Sequence, residues 1–515
     1  MFFNIFLVLF SILHQCLASN ILAVFIFPGI SHFMMFQPLL KELANRGHNV
    51  DVVSHFPSTT PIERYTDISI RGLTQIVTNN LTFSAAKDCQ GQRMIKMLAR
   101  EGGSDLCDTI LKSPILQKLK NSTKNYDLVI TQLFSTECML GWGWHFGVPN
   151  VVLTSSVNLP WASERFGLPD NPAYVPNYFG KSGTVMNLHE RIVNTWLLVI
   201  SKLIYYLYST QPSNRIAKEF FGKDMPDLDI LAYNTSLHLI NTHVSIHTSR
   251  PLPPNVIEVS GLHIMKPKPL NEHLNKTLTT DKKGIICFSL GSIITSETTP
   301  DSMMQAMFDA FSELPYKVIW KAKRENFSKI LKVPDNIHFE AWLPQLDILC
   351  DPRVKLFVSH GGMLGSQEAV YCGVPMLMIP YVVDQHLNSK ESELMGYALK
   401  LDSDKITKET MLLAMKKLLD EPIYKQTMNK VSDQFRDRPL SAMDTAIYWI
   451  EYVIRHQGAP HLQSPIKNLY WYQYYLLDVV AVSIGIPLVL LILCIKLLKN
   501  RIGCTKGTKM KVKTK

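Results

Sequence analysis

Residues 354–375, "VKLFVSHGGMLGSQEAVYCGVP", join an apolar run, a histidine with two glycines, and a helical segment from about Leu364 to Tyr371. The apolar run is typical of a strand buried in a parallel sheet. A helix that starts directly after such a strand offers free N–H groups and a positive dipole end, and glycines let an anion approach them. We therefore expect a phosphate site at residues 360–362. A strand-to-helix turn with a purely structural His360 is the alternative.

The same alternation of strand and helix occurs in both halves of the chain. Near the N-terminus, "NILAVFIFP" (20–28) precedes a helical segment that ends at Gly47, and a second strand pattern follows at 49–55. A later series starts at "GIICFSLGS" (284–292). It continues through the apolar runs 316–320, 336–342, 354–360 and 374–380. This pattern predicts an α/β fold with two doubly wound parallel sheets.

Two apolar segments indicate a protein that is anchored in a membrane. Residues 1–19 have the short apolar run and small-residue end of a secretory signal peptide, with a buried N-terminal element as the alternative. Residues 476–495 form a run long enough for a transmembrane helix. The tail, 496–515, carries eight of the formal +10 charges, which predicts a cytosolic tail and a lumenal body. The body is then close to neutral, which argues against nucleic-acid binding.

The domain boundaries follow from the same patterns. We expect an N-terminal domain at 20–265, a linker at 266–278 with two prolines and no hydrophobic period, and a C-terminal domain at 279–462. The C-terminal domain ends in an amphipathic helix from Ser441. The segment 191–210 is apolar around most of a helix, so it is either a core helix or a helix at the membrane surface or acceptor pocket.

The cysteines and glycan sequons fit a lumenal body. The lumenal cysteines lack the paired spacing of a metal site, and Cys89 with Cys107 could form a disulfide. The final lysines of "KVKTK" resemble dilysine signals that retrieve membrane proteins to the endoplasmic reticulum. Five sequons lie on the predicted lumenal side, at Asn80, Asn121, Asn234, Asn275 and Asn326.

Polar and aromatic residues suited to a nucleotide sugar lie around the glycine turn. Trp342 has a flat face on which a base can stack, and Gln345 can hydrogen-bond the edge of that base. Glu368 can accept hydrogen bonds from ribose hydroxyls, and Asp384 with Gln385 can hold sugar hydroxyls. Each residue alone also fits a structural role, but their occurrence together in one 44-residue window favours a shared site.

His32 is the candidate for acid–base chemistry in the first half. It follows "FPGIS" in the loop between the first strand and its helix, which is the crevice position where open α/β sheets act. A helix cap or a polar core residue is the alternative.

Residues 342–385 contain Trp, Pro-Gln, His-Gly-Gly, Glu, Gly-Val-Pro and Asp-Gln in that order. This order resembles the signature of the UDP-glycosyltransferase family. The N-terminal stretch "SHFMMFQPLLKELANRGHNVDVVSHFP" is most similar to insect members of that family. The resemblance implies a GT-B fold, in which two Rossmann-like domains face each other across a cleft. Position 365 is glycine where many relatives have serine. The implied ligands are Trp342 and Gln345 for uracil, Glu368 for ribose, His360, Gly362, Ser366 and Ser292 for the diphosphate, and Asp384 and Gln385 for the sugar.

The resemblance also implies that His32 is a general base oriented by a carboxylate. Relatives place an aspartate there, and this sequence has Glu137 where insect relatives usually show aspartate before the cysteine. We favour Glu137, in "DLVITQLFSTECMLG", and an alternative alignment places Gln132 there. Glutamine could orient His32 but would not neutralise its charge.

The expected function is an inverting, metal-independent transfer of a hexose, by preference glucose, from a UDP-sugar to small lipophilic acceptors in the endoplasmic reticulum, as in detoxification. The UDP-sugar is a co-substrate, so no cofactor is expected, and a homo-oligomer is left open. A catalytically impaired carrier of lipophilic ligands is the alternative, and a metalloenzyme that uses scattered histidines is a remote third.

Overall fold

The computed structural model describes residues 18–78, 81–279 and 282–507. The expected signal peptide therefore lies outside the described residues except for its last two positions, and so does the end of the basic tail. The described residues up to Gln463 form one compact unit, and those from Ser464 form a second.

A parallel seven-stranded sheet forms the N-terminal half. Its strands are β1 (Asn20–Phe25), β2 (Asn49–Ser54), β3 (Tyr65–Ser69), β4 (Leu128–Gln132), β5 (Asn150–Thr154), β6 (Leu237–Ile240) and β7 (Val256–Glu258). They lie in the order β3-β2-β1-β4-β5-β6-β7, and every neighbouring pair is parallel. The central strands are buried on both faces because helices cover both sides, as expected for a doubly wound sheet.

Helices connect these strands on both faces of the sheet. They are α1 (Ile30–Asn45), α2 (Phe83–Asp88), α3 (Gln92–Ala99), α4 (Asp105–Leu111), α5 (Pro114–Lys120), α6 (Gly141–Phe146), α7 (Leu188–Tyr205), α8 (Gln211–Phe221) and α9 (Leu228–Tyr233). A wider π-type turn joins α7 to α8 at Tyr206–Thr210.

The C-terminal half holds a second parallel sheet, of six strands. Its strands are β8 (Ile285–Ser289), β9 (Lys317–Lys321), β10 (Ile337–Glu340), β11 (Val354–Ser359), β12 (Met376–Met378) and β13 (Ala398–Lys400). They lie in the order β10-β9-β8-β11-β12-β13, so β10 is an edge strand. The predicted class, two doubly wound α/β sheets, is confirmed.

The helices of this half begin in the predicted linker, which contains the short α10 that the sequence pattern did not predict. They are α10 (Glu272–Thr277), α11 (Asp301–Ser312), α12 (Gln345–Leu349), α13 (Met363–Tyr371), α14 (Gln385–Leu394), α15 (Lys408–Asp420), α16 (Pro422–Arg436) and α17 (Ala442–Arg455).

Helix α17 belongs to the second half by sequence but packs on the first sheet. Its buried residues Ala446, Ile447 and Ile450 share a core cluster with Ile21 of β1 and Leu237 of β6. The sequence places it in the C-terminal domain with the rest of 279–462, because an amphipathic pattern shows that a face is buried but not which sheet it meets. The chain therefore crosses back to the N-terminal half before its C-terminal apolar helix.

Helix α7 and the turn after it have their polar side inward. Asn194, Ser201 and Tyr205 are buried, and Lys202 pairs with Glu164 and Asp170 at 2.9 and 2.6 Å. Leu197 and Ile204 pack against the core. Eight other apolar side chains face outward and are each more than 45% exposed: Leu188, Ile192, Val193, Trp196, Val199, Leu203, Tyr206 and Leu207. The segment is therefore not the fully buried core helix that was one alternative.

Two disulfides tie the described residues together. Cys107 pairs with Cys138, and Cys350 pairs with Cys372. The expected bond between Cys89 and Cys107 is wrong: α4 packs Cys107 beside the segment after β4, while the Cys89 thiol contacts the sulfur of Met97. Sequence spacing could not reveal this, because the pairing depends on which helix covers β4.

The second unit is helical. It contains α18 (Trp471–Tyr474), α19 (Leu477–Val480) and α20 (Ile486–Gly507), with a π-type turn between the last two. Leu477–Asn500 is long and apolar enough to cross a membrane, and none of its most apolar stretch is buried. This helix contains most of the predicted span and extends a few residues beyond Ile495.

Candidate active site

The carboxyl ends of β8, β11 and β12 meet at one edge of the C-terminal sheet. Ser359 lies level with Ser289 on one side and with Met378 on the other. The predicted ligands all follow these strand ends or the end of β10, or lie in the helices that come next. They are Ser292, Trp342, Gln345, His360, Gly362, Ser366, Glu368, Asp384 and Gln385.

Glycines surround the His360 ring. Gly291 has φ +81° and Gly361 has φ +80°, a region that side chains disfavour. A Cβ atom at Gly291 would lie 2.6 Å from the His360 ring, and one at Gly362 would also collide with it. The glycines therefore let two loops close around His360 at the start of α13, where free backbone N–H groups can meet an anion.

His360 offers a hydrogen bond rather than a charge. Burial, with a smaller contribution from the Lys321 cation, lowers the pKa of His360 to about 4. The ring is therefore neutral at pH 7. It can therefore give a bound phosphate a hydrogen bond but not a positive charge.

Lys321 supplies the positive charge at this edge, and the sequence analysis did not identify it. It ends β9, its Nζ lies 2.9 Å from the carbonyl oxygen of Gly291, and it sits 4.4 Å from the centre of the Trp342 ring. Burial lowers the pKa of Lys321, while the nearby Glu368 acts in the opposite direction. The sequence feature that could have identified Lys321 is its place at the end of a strand, in "VIWK", next to the strand that precedes Trp342.

Gln345 and Glu368 are direct neighbours. The Gln345 amide nitrogen donates to Glu368 Oε2 at 2.6 Å, and burial raises the pKa of Glu368 to about 7. A Cβ atom at position 365 would lie 2.9 Å from that amide nitrogen. Gly365 thus leaves room for the Gln345 amide to reach Glu368, which gives the departure from the family's serine a structural reason.

Trp342 and Ser366 differ in how freely they can meet a ligand. Trp342 is 56% exposed at the rim, where a base can stack on it. The Ser366 hydroxyl donates to the carbonyl oxygen of Gly362 at 2.9 Å within α13, so its proton is already engaged. Ser292 lies in the partly exposed loop after β8, on the same edge.

Asp384 and Gln385 follow a strained backbone position. Val383 has φ +48°, which is unusual for a β-branched residue. The Gln385 side-chain oxygen accepts from the N–H groups of Tyr381 and Val382 at 2.9 and 3.1 Å, which leaves its amide nitrogen to offer. Burial raises the pKa of Asp384 to about 6.

His32 lies in the first turn of α1, at the edge of the N-terminal sheet. Its ring packs between Phe27 and Phe134, with centroids 4.8 and 4.6 Å away. Its Nδ1 atom lies 2.5 Å from the side-chain nitrogen of Gln132 and 2.9 Å from Ser155 Oγ. Burial lowers the pKa of His32 to about 4. Gln132 ends β4 and Ser155 follows β5, so the parallel register brings both to His32.

The expected pairing of Glu137 with His32 is wrong. Glu137 is buried against Arg165, which also meets Asp229 at 2.8 Å. A buried carboxylate needs an opposite charge, and Arg165 provides it on the far side of the turn after β4. Gln132, our alternative, occupies the position beside His32, and Ser155 is a second contact that the sequence did not suggest.

A cavity lies where α14 meets the N-terminal half. Tyr178, Asn194, Leu198 and Arg250 line it from the N-terminal half, and Leu387 and Glu391 line it from α14. Two of these residues, Asn194 and Leu198, belong to α7. The inner side of α7 therefore borders the cavity while its apolar outer side is exposed.

Comparison with solved structures shows the same fold. The glycotransferase of kitacinnamycin superimposes with a TM-score of 0.59 at 15% identity, covering 84% of this chain and 99% of that chain. The glycosyltransferase VinC, solved in complex with DTDP, gives a TM-score of 0.56 at 15% identity, covering 85% of this chain and all of that one.

Comparison of sequences extends over nearly the whole chain. Residues 23–514 match the family model described as UDP-glucoronosyl and UDP-glucosyl transferase. UDP-glucosyltransferase 2 of Dactylopius coccus is 38% identical over 478 residues, which is 92% of each chain. UDP-glucuronosyltransferase 2B15 of Homo sapiens is 29% identical over 481 residues, 88% of this chain and 87% of that one.

The two parallel sheets and the match to these solved structures define a fold of the GT-B type. The chain belongs to the UDP-glucoronosyl and UDP-glucosyl transferase family and is a UDP-glycosyltransferase. The resemblance found in residues 342–385 is thereby confirmed.

Proposed function

We propose that this enzyme transfers a hexose, by preference glucose, from a UDP-sugar to a hydroxyl group of a small lipophilic acceptor, with inversion at the anomeric carbon. The observation that carries the proposal is the pairing of His32 with Gln132 and Ser155 at one sheet edge. The preference for glucose is supported by the relative named UDP-glucosyltransferase 2. A role in detoxification would follow from acceptors of this kind.

The reaction is a direct displacement. The acceptor oxygen forms a bond to the anomeric carbon, the bond from that carbon to the diphosphate oxygen breaks, and the acceptor proton passes to Nε2 of His32. UDP leaves from the opposite face, so the configuration inverts. A histidine with lowered pKa is unprotonated at pH 7 and ready to accept the proton.

Gln132 and Ser155 can support the tautomer of His32 that the reaction needs. For Nε2 to accept a proton, Nδ1 must carry the hydrogen and donate it. Rotating the Gln132 side-chain amide by 180° exchanges its oxygen and nitrogen, so the amide oxygen can accept the hydrogen bond from Nδ1–H. The oxygen of the Ser155 hydroxyl can accept it as well. Neither group is negative, so the imidazolium that forms is not neutralised. The best acceptors are therefore acidic hydroxyls, such as phenols.

The edge of the C-terminal sheet where β8, β11 and β12 end stabilises the leaving UDP. The N–H groups at the start of α13, the neutral His360 ring and the Lys321 cation converge on the place that a diphosphate would take. These groups balance the negative charge that develops there, so the proposed step needs no metal ion. Glu368, Gln345 and the exposed Trp342 face are left to hold the ribose and the base.

The proposed location is the membrane of the endoplasmic reticulum, with both halves in the lumen. The apolar helix Leu477–Asn500 supports the anchor. The disulfides Cys107–Cys138 and Cys350–Cys372 support an oxidising compartment. Digestion of glycans from the protein in sealed microsomes, with and without detergent, tests this orientation: glycans that stay protected until detergent is added support it.

The outer side of α7 supports a second contact with the bilayer. Leu188–Leu207 spans about 28 Å of helix, and its Asp, Glu, Lys and Arg residues, which are Glu190, Arg191 and Lys202, are each only partly exposed. The polar side of α7 packs against the rest of the N-terminal half, so the helix can lie on a membrane surface but cannot cross the membrane. The test places a spin label at Val199 of protein in nanodiscs that each hold one protein molecule. This label should be accessible to oxygen, which enters the bilayer, but shielded from a water-soluble nickel complex. A label at the exposed Leu413 should show the reverse.

The test of the activity uses membranes with UDP-glucose and a panel of phenols. Release of UDP together with a glucoside supports the proposal. The neutral Gln132 favours one second candidate, a carrier that keeps the fold but transfers slowly. UDP binding without UDP release for every phenol would support the carrier and contradict the transferase.

A further inference from the structure

Three potential metal ligands meet beside the edge strand β10, away from the proposed chemistry. His338 and Glu340 are two residues apart and therefore share one face of the strand. His273 reaches them from α10, in the linker between the two halves. The Nε2 atoms of His273 and His338 lie 2.9 and 3.0 Å from the same oxygen, Glu340 Oε1.

These distances fit coordination of one small cation. The three ligand atoms all lie within 4.8 Å of one another. In a tetrahedral zinc site with bonds of about 2.0–2.1 Å, neighbouring ligand atoms are about 3.3 Å apart. The two nitrogen–oxygen contacts would need to open by only a few tenths of an ångström, and the His273 side chain is 69% exposed and free to adjust.

The chemistry of the ligands selects the cation. Two imidazoles and one carboxylate suit Zn²⁺ and similar transition-metal ions, whereas Mg²⁺ and Ca²⁺ prefer oxygen ligands alone. Three protein ligands leave a fourth position for water, and the partial exposure of His338 and Glu340 lets water reach it. Nothing in the transfer reaction uses these residues.

We propose that His273, His338 and Glu340 bind one Zn²⁺ ion that fastens the linker helix α10 to the edge strand β10. Trp342 lies two residues after Glu340, at the rim where the base of the nucleotide would stack. The ion therefore holds together the linker between the halves and the strand that leads into the nucleotide site. Its role is to restrict local opening of α10 and the end of β10, not to take part in the chemistry.

The test uses the full-length protein in detergent after all metal has been removed from it. ZnCl₂ is added in the presence of a coloured chelator, and the colour reports how much Zn²⁺ the protein takes from the chelator. We expect one tight equivalent, and His273→Ala and His338→Ala should each weaken it by at least about tenfold. His189→Ala is the matched control, because His189 is an exposed histidine outside the group. Binding of UDP-glucose by each variant shows that it is folded.

Two further measurements separate a metal site from a pair of hydrogen bonds. Glu340→Gln can keep both contacts with the histidines but loses the charge, so it should also weaken Zn²⁺ binding by about tenfold or more. Zn²⁺ should slow hydrogen exchange in residues 272–277 of the wild type but not of His273→Ala. Unchanged Zn²⁺ affinity in His273→Ala, or an equal loss in His189→Ala, would overturn the proposal.

Discussion

Replacing Gln132 with glutamate restores the missing charge beside His32 and should change the pH dependence of the enzyme. In the wild type, burial without a carboxylate partner lowers the pKa of His32 to about 4. A carboxylate at the present distance of Gln132 should raise this pKa by about 1–3 pH units, to about 5–7. His32 must be unprotonated to act as a base, so the acid limb of kcat/KM should move to higher pH.

The same change should widen the range of acceptors. If the proton is about half transferred in the transition state, raising the pKa of His32 by 1–3 units should raise the rate about 3–30-fold at pH values above the new pKa. The gain should be larger for aliphatic alcohols than for phenols, because phenols give up their proton more easily. The assay is kcat/KM from pH 4 to 9 for one phenol and one alcohol of similar size.

Glu137→Gln is the matched control for this experiment. It should leave the acid limb where it is in the wild type, because Glu137 contacts Arg165 rather than His32. It should lower the free energy of unfolding by about 3 kcal/mol, since it leaves Arg165 with one buried partner fewer. The reasoning is refuted if Gln132→Glu folds and binds UDP-glucose but its acid limb does not move, or if Glu137→Gln moves it.

Three other outcomes are expected. Affinity for UDP-glucose should fall below about pH 7, where Glu368 takes up a proton. In calorimetric titrations Glu368→Gln should lower the affinity about 10–100-fold and remove the change near pH 7, leaving the change near pH 6 where Asp384 takes up a proton. Cys350→Ser should lower the unfolding free energy by about 3 kcal/mol in denaturant melts, given a sequence separation of 22 residues, and an unchanged midpoint would mean that the bond to Cys372 does not form. Lys321→Ala should weaken binding of UDP-glucose more than that of uridine, whereas an equal loss would place the lysine away from the phosphates.

The strand and helix pattern was predictable where both faces of a strand are buried. β1 and β11 are almost continuous apolar runs, and such runs identify parallel strands under two layers of helices. The glycine turn after β11 and the residues around it were predictable for a similar reason, because strand ends of one sheet meet at one edge.

Features that depend on packing between distant elements were not predictable. The apolar pattern of α7 gives no sign that its polar residues are the buried ones, since Asn194 and Lys202 find partners far away in sequence. The choice between Glu137 and Gln132 depended on Arg165, whose position follows from the turn after β5. Lys321 became a candidate only once β9 and the Gly291 loop were seen together.

The most direct test of the central claim compares wild type and His32→Ala in membranes with UDP-glucose and a phenol, following UDP release and the anomeric configuration of the product by NMR. The wild type should release UDP and form a glucoside of inverted configuration. His32→Ala should bind UDP-glucose with nearly unchanged affinity but release no UDP above background. A product with retained configuration, or full activity of His32→Ala, would contradict the role of His32 as the base of an inverting transfer.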